Sequence, residues 1–346
     1  MLQELPQRYQ DILKILVSDY ISTAGPVGSR AIAKRHPTSL SPATIRNVMA
    51  DLTELGLLSQ PYTSAGRVPT SSGLNYYVQT LLSVADLSEH EKSNIQNTFS
   101  QENSSEEKLL KQSSSILSEF SSFAGLVVMP SLSHIRFKHI EFLQLTDARL
   151  LGIFVAQSGM VQNAIIEVQE QYSFRQLEKI NNFCNRIFIG LTLQEAKEKI
   201  ARELKCEREE YDALLLKGFQ YSNVLFQSIP DQEVHIKGTD NLCQQAEARE
   251  FEKIKALLSS LNEKEKMLSL LERCEDAHGV KIFVGSDHEH QEQIDASVVS
   301  APYSKNGKII GALGVIGPRR MNYAHIVSVV HFTSQLVSRY LEQKEL

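Results

Sequence analysis

The tightest constraint in this chain is the segment 41–70, where a capped helix is stopped by a glycine and followed at once by a hairpin. Ser41-Pro42 offers an N-cap oxygen and a proline at the first helical position, where its missing N–H leaves no hydrogen bond unmade. Ile45, Val48, Met49, Leu52 and Leu55 then form an inward stripe at helical spacing until Gly56. Leu57 to Tyr62, Thr63-Ser64-Ala65-Gly66 and Arg67-Val68-Pro69 read as strand, tight turn and returning strand. Upstream, Ile12, Leu13, Leu16, Val17 and Tyr20 predict a helix over 7–23 that breaks at Ala24-Gly25-Pro26. Ser29 can cap a short second helix over 30–36, which Pro37 closes, and 38–40 make the turn. Leu74, Tyr77, Val78 and Leu81 predict a fourth helix over 72–82. Three helices and a hairpin in this order predict a winged helix-turn-helix over residues 1–82.

Read as a helical wheel, 41–55 turns Ile45, Val48, Met49 and Leu52 inward and Ala43, Asn47 and Ala50 outward, with Thr44 and Arg46 on the flanks. A small, polar outer face suits entry into a DNA groove. Asn can bond adenine bidentately, and Arg can do the same to guanine or hold a phosphate. The helix start, with Ser41 and Ser29 nearby, presents N–H groups to the backbone. Arg67 on the return arm can reach a phosphate or the minor groove. The candidate DNA-binding residues are Ser29, Arg30, Ser41, Thr44, Arg46, Asn47, Arg67 and Thr70.

Net charge is −5, which by itself argues against a nucleic-acid partner. Its distribution reverses the argument: 26–68 carries Arg30, Lys34, Arg35, Arg46 and Arg67 against Asp51 and Glu54, a local +3 that leaves −8 on the rest. A basic module on an acidic body is the pattern. A length of 346 residues predicts two or three domains, and 42% hydrophobic with 22% charged residues excludes wholesale disorder. The first residues carry an early acid and no basic start followed by an apolar run, and no later window approaches the ~18 apolar residues of a membrane span. A cytoplasmic protein is expected. Cys184, Cys206, Cys243 and Cys274 lie far apart, with no zinc-finger spacing, and read as reduced thiols.

Residues 83–122, rich in Ser, Glu, Asn and Gln, read as a linker with helical segments around Leu109, Leu110, Ile116, Leu117 and Phe120. Strand signals follow at 126–129, 140–145 and 150–156, the last turning at Ser158-Gly159 into 160–168. Residues 173–228 are helical almost throughout, with Leu177, Ile180, Phe183, Cys184 and Ile187 on one face and Ala196, Ile200 and Leu204 on another. Strands resume at 234–236, 280–284, 296–303 and 308–316, with an amphipathic helix over 247–273 and a last helix over 323–341. This order predicts an α+β body interrupted by a helical insertion.

Asp287-His288-Glu289-His290, with His278 before it, could form a metal cluster but reads better as a solvated loop. Gly311, Gly314 and Gly317 lie in a β-like run with no G-K-[ST] after them, so tight strand packing explains them better than a phosphate loop. No Ser-His-Asp or Cys-His arrangement has local support, and neither enzyme activity nor a cofactor is expected.

Four strings, G-P-V-G-S-R-A-I-A at 25–33, S-P-A-T-I-R-N-V-M-A-D-L at 41–52, L-G-L-L at 55–58 and S-A-G-R-V-P-T at 64–70, together with G-A-L-G-V-I-G-P-R-R-M-N-Y at 311–323, resemble the heat-inducible transcription repressor HrcA family of bacteria. The resemblance implies an α+β multidomain protein: a winged helix over 1–82, a helical linker over 83–122, a GAF-like α/β domain over 123–170 and 236–346, and a mostly helical inserted dimerisation domain over 171–235. It implies a homodimer on the inverted-repeat CIRCE operator of chaperone operons of groE and dnaK type, with the GroEL chaperonin as partner, repression lapsing on heat stress, and association with the nucleoid when bound. Two uses of the body compete: sensing a small effector, or serving as a platform for the chaperonin, and the second is the preferred one.

Overall fold

The computed structural model describes residues 5–36, 40–63, 65–100, 106–131, 136–157, 159–205, 213–229, 233–244, 279–285 and 296–343. The expected helix over 247–273 and the run 287–290 with His278 lie outside them. The chain divides into two compact units, Met1–Met129 with Val234–Leu346, and Pro130–Glu233.

The first unit opens with α1 (Gln7–Thr23), α2 (Ser29–Arg35) and α3 (Pro42–Glu54), then the two-residue strands β1 (Leu58–Ser59) and β2 (Val68–Pro69), then α4 (Ser71–Tyr76). Ile12, Leu13, Leu16 and Val17 of α1 pack with Ile32 and with Ile45, Val48, Met49 and Leu52 of α3, all buried. Leu55 departs from the expected stripe: it is the C-cap of α3 and is 56% exposed. The chain reverses there, because Gly56 takes φ 74 and donates to Thr53 O while Leu57 donates to Leu52 O, the two bonds of a Schellman motif. Ser29 also departs from expectation, since Gly28 is the N-cap of α2 and Ser29 is its first, buried residue. The fourth helix switches from α to a π-helical turn over Tyr77–Leu81.

The rest of this unit is built on a five-stranded antiparallel sheet in the order β7-β3-β10-β9-β8, from β3 (Ala124–Val128), β7 (Val234–Lys237), β8 (Lys281–Val284), β9 (Ser297–Lys305) and β10 (Lys308–Gly317). Asn306-Gly307, both at positive φ, make the two-residue turn between β9 and β10. Helix α6 (Glu106–Ser121) packs on β3, as does the short α10 (Thr239–Gln244), and α11 (Tyr323–Gln343) packs on β9 and on α6, with α5 (Glu89–Ser100) beside them. Residues 83–122 are therefore not a linker. The serines that suggested one sit where helix and sheet approach closely: Ser113 and Ser114 are fully buried, and a Cβ at Gly125 would lie 2.1 Å from Ser114 O. Gly311, Gly314 and Gly317 all fall in β10, and a Cβ at Gly314 would come within 2.4 Å of Val299 O.

Nor is the winged helix walled off from this sheet. One buried cluster runs from Ile12 to Leu341, and Asn75 Nδ2 of α4 donates to Val284 O at 3.2 Å. In the C-terminal motif Tyr323 is buried, its hydroxyl donating to Arg319 O at 2.5 Å and lying 2.8 Å from Ser297 Oγ, and burial raises its pKa well above that of a free phenol.

The second unit holds the antiparallel sheet β4-β5-β6, from β4 (Phe137–Thr146), β5 (Arg149–Ala156) and β6 (Val161–Glu167), with α7 (Phe174–Phe188), α8 (Leu193–Lys205) and α9 (Ala213–Ser228). The insertion thus begins near 130 and carries its own sheet, whereas sequence periodicity places 137–168 with the outer body. Its core is aromatic: Phe137 packs edge-on against Phe154 at 4.6 Å between centroids and at a tilt against Phe226 at 4.8 Å. Two asparagines one helical turn apart on α7 close the β4 edge. Asn185 accepts from Ile140 N at 2.9 Å and donates to Ile140 O at 2.7 Å, and Asn181 accepts from Phe142 N at 2.8 Å and donates to Phe142 O at 3.2 Å. Each amide does what a neighbouring strand would do.

Candidate nucleic-acid interface

The site starts from the cap of α3. Ser41 Oγ accepts from Thr44 N at 3.1 Å and lies 2.9 Å from Thr44 Oγ1, so both hydroxyls shape the helix start. Beyond them Arg46 and Asn47 stand exposed, opposite the buried Ile45, Val48 and Met49. Between α2, α3 and the wing lies an open concavity of about 510 Å³. Ser29 and Arg30 line it from α2, Arg46 and Met49 from α3, and Gln60, Thr63 and Arg67 from the wing. Four of the expected residues, Ser29, Arg30, Arg46 and Arg67, therefore share one hollow; Ser41, Thr44 and Asn47 lie along α3 outside its lining.

Thr70 has a different place. Its hydroxyl donates to Gly56 O at 2.6 Å and accepts from Gly73 N at 3.1 Å, which ties the return arm of the wing to the end of α3 and caps α4. That hydroxyl holds the frame.

The wing is fixed by bonds that no local pattern announces. Val27 and Arg67 exchange backbone N–H···O bonds in both directions, each 2.9 Å, and this bridge pins the α1–α2 connection to the wing. Gly66 makes the approach possible, since a Cβ there would lie 2.3 Å from Val27 O. Arg67 Nε donates to Thr53 Oγ1 at 3.0 Å, and Thr53 Oγ1 itself donates to Met49 O at 2.7 Å, so α3 orients the guanidinium. Gln60 Nε2 bonds Thr63 O at 2.9 Å and Ala65 O at 3.1 Å across the tip. Thr53 and Gln60 are site residues that sequence reasoning missed. A mid-helix threonine and a polar wing residue carry no signal of their partners, 14 and up to five positions away.

Electrostatically, three guanidinium groups facing one hollow repel one another, and an anion there relieves that repulsion. Two carboxylates of the module are already engaged. Arg35 pairs with Asp19, which is 4% exposed, and Tyr9 donates to Asp51 Oδ2 at 2.5 Å, which raises the Tyr9 pKa. Among the described residues there is no group of His, Cys, Asp and Glu able to hold a metal ion, and no helix long and apolar enough to cross a membrane.

Comparison with known proteins agrees with this geometry. Residues 4–80 match the family described as winged helix-turn-helix transcription repressor, HrcA DNA-binding, and 107–327 match HrcA protein C terminal domain. The heat-inducible transcription repressor HrcA of Geobacter sulfurreducens is 38% identical over 341 residues, covering 98% of this chain and 99% of its own. That of Brucella canis is 39% identical over 349 residues, covering 99% of this chain and 98% of its own. A crystal structure described only as a hypothetical protein shares the fold with a TM-score of 0.61 at 22% identity, covering 98% of this chain and 99% of that one.

Proposed function

Because the chain belongs to the HrcA family of heat-inducible transcription repressors, with a DNA-binding winged helix at its N-terminus, we propose that it binds an inverted-repeat operator of CIRCE type as a homodimer and represses chaperone operons of the groE and dnaK kind until heat stress. The observation that carries this is the arginine-lined hollow beside the exposed Arg46–Asn47 face of α3. In this reading Arg46 and Asn47 address base edges, Arg30 and Arg67 hold phosphates on either side, Ser29, Ser41 and Thr44 bring polar groups to the backbone, and Thr70 positions the wing.

An inverted repeat calls for two recognition helices related by a two-fold axis. The second unit offers a surface for such pairing. Leu143, Leu151 and Ile165 stand in register across β4, β5 and β6, and Leu143, Leu145, Val161 and Ile165 are 40%, 50%, 56% and 58% exposed. Exposed aliphatic side chains of this kind, set among His139, Glu141 and Asn163, suit a second copy, which would bury the same residues from both sides. The five-stranded sheet with α6 and α11 would be the GAF-like domain. The GroEL chaperonin would keep the repressor binding-competent in the cytoplasm, with release when heat supplies the chaperonin with other clients.

A gel-shift titration tests this, with an inverted-repeat chaperone-operon duplex and a scrambled duplex at fixed salt, with and without chaperonin. Preference for the operator that chaperonin sharpens is the expected result. Equal binding to both duplexes under all conditions sinks the repressor reading, and a chaperonin-independent response to a small effector sinks the chaperonin part alone.

A further inference from the structure

We propose that Tyr62 is a DNA-contacting residue of the wing, its ring lying against the deoxyribose wall of the minor groove and its hydroxyl donating to a phosphate oxygen. The proposal rests on the repressor reading and deepens it, because the three arginines supply charge without supplying shape.

Tyr62 is 64% exposed, although an aromatic side chain ordinarily gains much by burial. It does not sit on a loose loop. Pro61 fixes φ just before it. Ala65 N donates to Tyr62 O at 2.9 Å, and Gln60 Nε2 closes the tip through Thr63 O and Ala65 O. The backbone that carries the ring is thus tied into a turn, which meets the backbone part of the ordering cost of an encounter in the free protein. Gln60, two positions before it, and Thr63, directly after it, line the arginine hollow, so Tyr62 lies between two lining residues in the chain. A groove wall of sugars flanked by phosphates matches a ring with a polar tip: the apolar edge of deoxyribose covers the ring, and the phosphate accepts from the hydroxyl.

The chain has no tryptophan, so Tyr62→Trp places a single indole at the wing tip. Phe174→Trp, at a position 81% exposed in the other unit, is the control. Both are titrated with operator duplex at fixed salt, alongside gel shifts of the wild type, Tyr62→Ala and Tyr62→Phe. The expected result is a saturable change in Tyr62→Trp emission with the midpoint of the gel shift, and none for Phe174→Trp. Tyr62→Ala should bind about tenfold more weakly, and Tyr62→Phe about threefold, the loss of one hydrogen bond. Both losses should be equal on the scrambled duplex, since sugar and phosphate carry no sequence. Wild-type operator complex with a silent Tyr62→Trp and an unchanged Tyr62→Ala midpoint overturns the proposal and leaves the repressor reading standing. A wild type that shifts neither duplex overturns both.

Discussion

Gly66→Ala isolates the contact on which the wing depends. Gly66 does not use a left-handed φ, so alanine is compatible with its backbone, and the obstacle is steric alone. An added Cβ would lie 2.3 Å from Val27 O and 2.5 Å from Val27 C, where ordinary contact begins at 3.4 Å. The two strands of chain must separate by about an ångström, which stretches the paired 2.9 Å bonds between Val27 and Arg67 beyond hydrogen-bonding range. Losing two backbone bonds costs about 2–3 kcal/mol, or about 5–10 °C in the melting temperature of a unit of this size. Gly56→Ala provides the contrast. Nothing lies within 4 Å of a Cβ there, and only the φ of 74 opposes it. That substitution should cost about 1 kcal/mol, with Gly56→Asn milder still. Thermal melts followed by circular dichroism give the order, and operator titrations should show Gly66→Ala binding far more weakly than Gly56→Ala. If Gly66→Ala melts and binds like the wild type, the Val27–Arg67 bridge does not hold the wing.

Thr53→Val keeps the volume of Thr53 and removes the acceptor of Arg67 Nε; operator affinity should fall about threefold to tenfold while Thr53→Ser retains it, and in an Arg67→Ala background Thr53→Val should add nothing. Asn181→Ala with Asn185→Ala leaves the outer backbone groups of Ile140 and Phe142 open, so sedimentation should show concentration-dependent species larger than those of the wild type. Cys184 is fully buried, and desolvation pushes its thiol up to about 12, so peptide mapping after thiol alkylation at pH 8 should find it unmodified until the second unit unfolds.

What could be read in advance follows the range of each interaction. The cap at Ser41-Pro42, the α3 stripe and the stop at Gly56 are local, and periodicity finds them. The exposed face with Arg46 and Asn47 follows from the same wheel. The sheet to which a strand belongs is a non-local matter: alternation along 140–145 reports a covered face, not whether α6 or α7 covers it, and the insertion boundary was misplaced for that reason. Serine enrichment over 83–122 misled because the same small side chain serves a solvated linker and a tight helix–sheet contact. The placing of Arg67 was legible, and its orientation by Thr53 was not.

The shared core of the first unit bears on how a protein of this family could let go of DNA. Ile12 and Leu341 belong to one apolar cluster and α4 is bonded to β8, so whatever loosens the five-stranded sheet also loosens the core on which α3 stands. In such a molecule the stability of the sheet and the readiness of the winged helix are one quantity, and a substitution deep in the sheet should be felt at α3.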